Sequence, residues 1–553
     1  MSLQAIVDGL ITDTYSSLSL FRPELILCAT IVALLLVRLI PWLEKIDPSI
    51  VAFAGTGLAL WYAIPTGGLA ELVSQGPQEI FTGMLVCDSL TIYVRAVLLF
   101  FAVLFIVLTR MTGLADGNDG QDFYALVLGA TLGMCIMASA NHLMTVFLGV
   151  EMASVPSYVL AGAVKGRQRS GEAALKYAIY GAGAAGVMLY GISLLAGVLG
   201  TAHLPTVATT LASIDFTAEA ASGRAMVLAL AAVMIMVGLA FKLSAVPFHF
   251  WCPDVFEGAS AEVNAFLSVA SKAAALALLV RVALGVTSPA ESQELAVAIP
   301  PAQVSLVTMQ ASEAVTNSQL PTISQARNFV VLMLAVIAAV TCTFGNLAAY
   351  GQTNIKRLFA YSTIAHAGYM MMPVAAAVYL AGTNLDQARD AVSALMFYIG
   401  VYFFMNLGAF AIVAFLRNTM QSEEIADYGG LIRTAPLTAI CLTAILFSLI
   451  GLPPLGGFWA KVNAFMALVN AGGPVMISLL VVGGLNTVLS LIYYLRLAKI
   501  MCIDPQPASR GPVTMPFLPV GYILLVAIPV IGVGIFPEKL AHWTHLAGLQ
   551  VLM

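Results

Sequence analysis

Apolar runs of eighteen or more residues recur along nearly the whole chain, and they limit its possible folds more than any motif does. A run of that length crosses a hydrocarbon core of about 30 Å as a helix. Candidate spans fall near 20–42, 49–67, 88–111, 122–140, 142–165, 173–200, 225–249, 262–285, 328–350, 355–381, 392–417, 434–470, 475–502 and 517–537, fourteen in all. Only 9% of the 553 residues are charged, against roughly 25% in a soluble domain. Such a chain cannot cover itself with polar groups in water, so an all-α membrane protein is expected. A net charge of −4 without a basic patch gives no reason to expect nucleic-acid binding. The N-terminus lacks a basic leader and a small-residue cleavage site, so the first apolar run is expected to be retained as a span. The seven cysteines are scattered singly, never as CxxC, and read as packing residues.

Lys and Arg favour cytoplasmic loops. Loops after odd-numbered spans hold thirteen of them (Arg38, Lys45, Arg110, Lys165, Arg167, Arg169, Lys356, Arg357, Arg417, Arg433, Arg496, Lys499 and Arg510). The opposite side holds six: Arg22, Arg224, Arg281, Arg327, Arg389 and Lys539. Both termini are therefore predicted outside the cytoplasm. The polar stretch 286–327 reads as a non-cytoplasmic insertion, either disordered or a cap.

Two spans look broken. The seventh ends in Lys242-Leu-Ser-Ala-Val-Pro247-Phe-His249-Phe-Trp251, and the long twelfth contains Gly451, Pro453-Pro454 and Gly456-Gly-Phe-Trp459-Ala-Lys461, about 208 residues later. Repeated discontinuous helices point to an ion site near the bilayer midplane, because freed backbone groups are tolerated only where a cavity satisfies them. Two unrelated proline kinks would look the same.

An ionisable group inside a bilayer costs about 2.5 to 3.5 kcal/mol on insertion scales, so several in one chain need a reason. Glu151, Lys176, Lys242, Lys272 and Lys461 lie within spans, with Arg95 in the third and His249 at the first break. Glu151, near Pro156, should find a cation, and Lys242 is the natural partner. A static structural pair is the alternative. Lys272 and Lys461 have no acidic neighbour in sequence; burial then penalises the charged amine, which can exchange protons. His249 is placed to relay protons or merely to hydrogen-bond at the break. His366, among Tyr361, Ser362, Thr363 and Tyr369, could order water or glue helices together. His542 and His545 are three apart but lack further ligands, so no metal site is expected. No phosphate-cradling loop, iron–sulfur cysteine set or haem histidine pair is present, so redox chemistry would belong to a partner.

Several long motifs occur in an order that resembles the antiporter-like N subunit, or subunit 2, of respiratory complex I. They are Glu151-Met-Ala-Ser-Val-Pro-Ser-Tyr158, Gly171-Glu-Ala-Ala-Leu-Lys176-Tyr177, Phe241-Lys242-Leu-Ser-Ala-Val-Pro-Phe-His249-Phe-Trp-Cys-Pro-Asp254-Val-Phe-Glu-Gly258 and Ser271-Lys272. Asn354-Ile-Lys356-Arg357 through His366-Ala-Gly-Tyr369, and Gly451 to Lys461, complete the likeness, which runs from the third span to the thirteenth. The resemblance implies fourteen helices with two inverted five-helix repeats, spans 4–8 and 9–13. The chain then divides into 1–121, a first repeat at 122–285, the insertion 286–327, a second repeat at 328–502 and a C-terminal helix and tail at 503–553. It also implies a proton-translocating, non-redox subunit of an NADH:quinone oxidoreductase in a prokaryotic inner membrane. Sister antiporter-like and small membrane subunits would be its neighbours. NADH, FMN, iron–sulfur clusters and quinone would sit on partners, with no cofactor on this chain. Glu151 and Lys242 would form the coupling pair with Lys176 beside them, His249 and Lys272 would carry protons along the axis, and Lys461 would serve the exit side. The insertion departs from the compact family pattern. A cation/proton antiporter component, or a subunit of a membrane-bound hydrogenase, is the alternative on the same fold.

Overall fold

The computed structural model describes residues 3–37, 46–65, 68–115, 119–214, 223–288, 306–508, 510–511 and 513–551. In chain order the helices are α1 (Leu3–Leu20), α2 (Arg22–Val37), α3 (Pro48–Ala63) and α4 (Gly68–Gln75), followed by a hairpin of β1 (Gln78–Ile80) and β2 (Leu85–Cys87). Then come α5 (Ser89–Thr112), α6 (Gly120–Ser139), α7 (Leu143–Ala161), α8 (Gln168–Leu199), α9 (Leu204–Ala212), α10 (Arg224–Leu243), α11 (Trp251–Gly258) and α12 (Ala261–Thr287). The second half holds α13 (Leu306–Ala349), α14 (Ile355–Leu380), α15 (Leu385–Met420), α16 (Leu431–Thr434), α17 (Pro436–Ile450), α18 (Gly456–Ala471), α19 (Gly473–Cys502), α20 (Phe517–Ile535) and α21 (Glu538–Gly548).

Local chemistry starts these helices where the chain leaves the apolar runs. Asp88 caps α5 by accepting from Thr91 N–H, Asn354 caps α14 by accepting from Lys356 and Arg357 N–H, and Ser260 caps α12 through Val263 N–H. Eleven helices are long and apolar enough to cross a membrane, and a twelfth is formed if α1 and α2, bent by 81°, count as one. Two shorter apolar helices, α3 and α17, fall on two further expected spans. The polar stretch 286–327 is partly helical: α12 runs to Thr287 and α13 begins at Leu306, while 289–305 lies outside the described residues. Arg38 and Lys45 of the charge count lie outside them too.

Burial sorts the spans into a centre and a rim. In α12, α14 and α15, 89%, 94% and 94% of the apolar window is covered, against 33% in α8, 28% in α19 and 33% in α20. A helix apolar all round belongs inside a bundle, and α15 packs on α12, α14, α18 and α20 from that position. Polar side chains midway along these helices, Lys272, His366 and Asn406 among them, are therefore buried in protein.

Candidate functional site

Both suspected breaks are present. At the first, α10 ends with Ser244 in the left-handed region (φ 57°), a cis Val246–Pro247 bond follows, and α11 restarts at Trp251. The Trp251 indole N–H donates to Phe241 O at 3.1 Å, and its ring stacks on Tyr177 at 4.2 Å. Lys242, on the last turn of α10, is 2% exposed, and its amine donates to Ser154 Oγ at 3.0 Å. Ser154 in turn donates to Val150 O at 2.6 Å. It lies three residues after Glu151 on α7, one turn along the same helix face.

Glu151 is half-buried, and its Oε1 is shielded with no hydrogen-bond partner, though its charge acts on Lys242. Glu151 and Lys242 make no direct ion pair among the described residues: the amine bonds the Ser154 hydroxyl, and Glu151 acts on it through charge alone. A short serine reaches the amine from the next turn, a geometry that residue type alone does not disclose.

Lys176 is not in the bundle interior. Its side chain is 35% exposed and bonds Glu172 and Asp254, each at 2.8 Å. Asp254 also takes Arg357 at 2.9 Å, Arg357 reaches Glu257 at 2.8 Å, and Arg169 meets Glu257 at 3.2 Å. Burial opposes a charge on Asp254, but hydrogen bonds from Lys176 and Arg357 outweigh it and hold the carboxyl below its ordinary value. Lys356, next in chain, donates to Ala259 O at 2.8 Å and pairs with Glu423 at 2.8 Å. These contacts lash α11 to α8 and to the start of α14. The His249 ring lies edge-on to Phe344 at 4.3 Å, and its Nδ1 is buried without a hydrogen-bond partner among the described residues.

The centre is richer than the sequence suggested. Lys272 on α12, 1% exposed, donates to Thr363 O on α14 at 3.1 Å. His366, one turn on, has both ring nitrogens engaged: Nδ1 with Tyr398 OH at 2.8 Å and Nε2 with Tyr494 OH at 3.3 Å. Tyr494 OH also meets Ser362 Oγ in a short contact. Asn406 Nδ2 donates to Tyr402 OH at 2.6 Å and to Thr363 Oγ1 at 3.3 Å. The charges of both Lys272 and Lys461 act on His366. Tyr398, Tyr402 and Asn406 were missed, yet their four-residue spacing along an apolar span is a visible polar stripe.

At the second break, Gly451 (φ 92°) ends α17, a cis Pro453–Pro454 bond follows, and α18 carries Lys461. Lys461 is 4% exposed; its amine donates back to Ile450 O at 2.8 Å and lies 4.5 Å from the centre of the Tyr369 ring. That carbonyl is one of the orphan acceptors a helix C-terminus leaves. A Cβ on Gly451 would lie 3.0 Å from Lys461 Cδ, so glycine suits both the turn and the passing side chain.

Other buried charges are paired away from this axis. Arg95 meets Glu24 at 2.7 Å, and Arg417 meets Glu262 at 3.0 Å. Arg281, counted with the outer side and within the expected span 262–285, lies inside α12 and is paired with Asp88. Among the described residues no group of three or more His, Cys, Asp or Glu could hold a metal ion.

The family described as NADH:quinone oxidoreductase/Mrp antiporter, transmembrane, matches residues 140–320 and 300–487. The chain is 36% identical to the NADH-quinone oxidoreductase subunit N of an Anaeromyxobacter species over 98% of each chain. Among solved structures it resembles a chain of respiratory complex I from Thermus thermophilus with bound aureothin, at 30% identity and TM-score 0.68, covering 94% of this chain and 98% of that one. It also shares its fold with a chain of the Mrp complex from a Dietzia species, at 17% identity and TM-score 0.75, covering 98% of each.

Proposed function

This chain belongs to the NADH:quinone oxidoreductase/Mrp antiporter family, and within it to the antiporter-like N subunits of respiratory complex I, and from that premise we propose that it moves protons in the membrane arm while electron transfer runs on other subunits. NADH, FMN, iron–sulfur clusters and quinone belong to those partners in this reading. The halves 122–285 and 328–502 are taken as inverted five-helix repeats, each with one broken helix. Both termini face away from the cytoplasm of a prokaryotic inner membrane, as the loop charges favour.

One observation carries the reading. Lys272, His366 and Lys461 lie buried on or beside the three most enclosed helices, each bonded to a hydroxyl or a carbonyl and without a carboxylate partner in contact. Bare amines in such surroundings need a purpose beyond packing, because a structural role would be filled at lower cost by apolar residues. Lys242 is the input to this file. Proximity to Glu151 favours its protonated amine, and a charge change in a neighbouring subunit that draws Glu151 away favours release toward Lys272, then His366 and Lys461. Ser154 holds the amine in place between these states. Lys176 and His249 stand outside the file, Lys176 as part of a surface ion-pair lattice and His249 as a packing contact at the break.

The test is Lys242→Met in the intact parent complex reconstituted into liposomes. The expected result is assembly and NADH oxidation retained with proton pumping lost; unchanged pumping overturns the role.

A further inference from the structure

Helices α10 and α13 both lean on α12 without packing closely on each other. Between them runs a groove of about 350 Å³. Leu228, Ala232 and Leu239 form one wall, Leu279 and Val286 the floor, and Phe329 the other wall, with Gln325 the single polar side chain on its border. At one end the lining stops at Leu239 and Leu334, each seven residues short of the first break's contact, where Val246 N–H donates to Thr341 Oγ1 at 3.0 Å. At the opposite end two arginines, Arg224 and Arg327, adjoin the lining residues Ala225 and Ala326 in the chain. Arg327 donates to Thr287 O at 2.9 Å, and the exposed Arg224 begins α10 one residue before the wall residue Ala225.

Among the described residues the groove is thus carbon along its length, with two arginines beside one end. Water finds no hydrogen-bond partners along such walls, and an empty groove of this size forfeits dispersion contacts on every side. All the lining helices but α9 are of membrane-spanning length, so the surrounding medium is hydrocarbon. A long apolar tail with an anionic head matches both the walls and the charges.

We propose that this groove binds one acyl chain of a membrane phospholipid, with the lipid phosphate resting against Arg224 and Arg327. The groove reaches Leu239, three residues before Lys242 on the same helix. If Lys242 handles protons as proposed above, the bound chain bars water from entering sideways at the break. Lipid binding itself stands whether or not that role holds.

The experiment uses the whole parent complex purified from native membranes. Wild type and the groove-filling pair Ala229→Phe with Ala232→Phe are extracted, and phospholipid per complex is counted by mass spectrometry. The expected result is one tightly held phospholipid fewer in the filled variant; an equal count, or a quinone in the wild-type extract in its place, overturns the site. Because the filled variant could fail to assemble, wild-type complex is also labelled with phosphatidylglycerol bearing a photoactivatable acyl chain. Label should concentrate on peptides covering 225–239 and 325–334; label spread evenly over the outward faces of α8, α19 and α20 overturns the proposal. In Arg224→Gln the retained lipid should shift from anionic toward zwitterionic headgroups, and unchanged headgroup selection overturns the placement of the phosphate.

Discussion

The two broken helices use the same pair of residue types in opposite ways. At the first, the tryptophan mends its own helix, since Trp251 donates to Phe241 O, and the lysine reaches out to Ser154 on α7. At the second, the lysine mends its own helix, since Lys461 donates to Ile450 O, and the tryptophan reaches out, with Trp459 donating to Gly534 O on α20 at 3.0 Å. Burial is nearly equal, 2% for Lys242 and 4% for Lys461. What separates the two amines is therefore their partner. Lys242 rests on a hydroxyl that already has its own acceptor, so it can leave without stranding a polar group. Lys461 holds a freed backbone carbonyl, so its departure strands one.

The largest contrast should come from deleting the amines. Both Lys242→Met and Lys461→Met are expected to stop pumping, but only Lys461→Met should also destabilise, by about 1 to 3 kcal/mol for a buried acceptor left unsatisfied. Melting of the two variant complexes followed side by side reads this directly, and equal stability would erase the distinction between the breaks.

Next in size is the pair of indoles. Trp251→Phe and Trp459→Phe each remove one hydrogen bond, worth about 1 kcal/mol. Pumping should fall only in Trp251→Phe, because Phe241 adjoins Lys242 while Gly534 sits on a rim helix. Equal pumping losses in liposomes would mean that the Trp251 bond does not position the amine.

A smaller effect is expected from Ser154→Ala. It deletes a hydrogen bond to a charged amine and should slow pumping by up to about tenfold, equivalent to about 1.4 kcal/mol. Assembly should be normal; an unaltered rate would show that Ser154 is a bystander and that Lys242 answers to Glu151 alone.

The smallest effect concerns how the resumed helices are anchored, α11 by surface ion pairs and α18 by Lys461 itself. Asp254 is held below its ordinary value, so its contribution to stability is present above the unfolded carboxylate range and is lost as pH falls through the lower folded value. Asp254→Asn should therefore melt earlier than wild type near neutral pH, with the gap closing on acidification. A gap independent of pH would assign the loss to something other than charge.

Much of this was legible in the residues. Apolar length gave nearly every span, and Pro247, Pro453 and Pro454 with their flanking motifs marked both breaks. The partners were less visible. Ser154 differs from any other helical serine only by facing Lys242, a relation made by packing between α7 and α10. Lys176 looked buried because it opens an apolar run, yet it sits at that run's polar start, within reach of Asp254, 78 residues away in sequence. Arg281 fell inside its expected span, 262–285, but its partner Asp88, 193 residues away in sequence, was not visible. The Tyr398, Tyr402 and Asn406 stripe was there to be read, hidden by aromatic rings that pass for apolar residues in a span.

Arg357, Lys356 and Arg417 all belong to the second half, and their acceptors Asp254, Glu257, Ala259 and Glu262 all belong to the first. The chain is thus stitched across its middle by ties that owe nothing to the connecting segment. Severing the polypeptide between α12 and α13 and supplying the pieces separately should still yield one joined body, whereas reversing the charges along that seam should loosen its rim while the packing of α12 on α14 and α15 keeps the halves together.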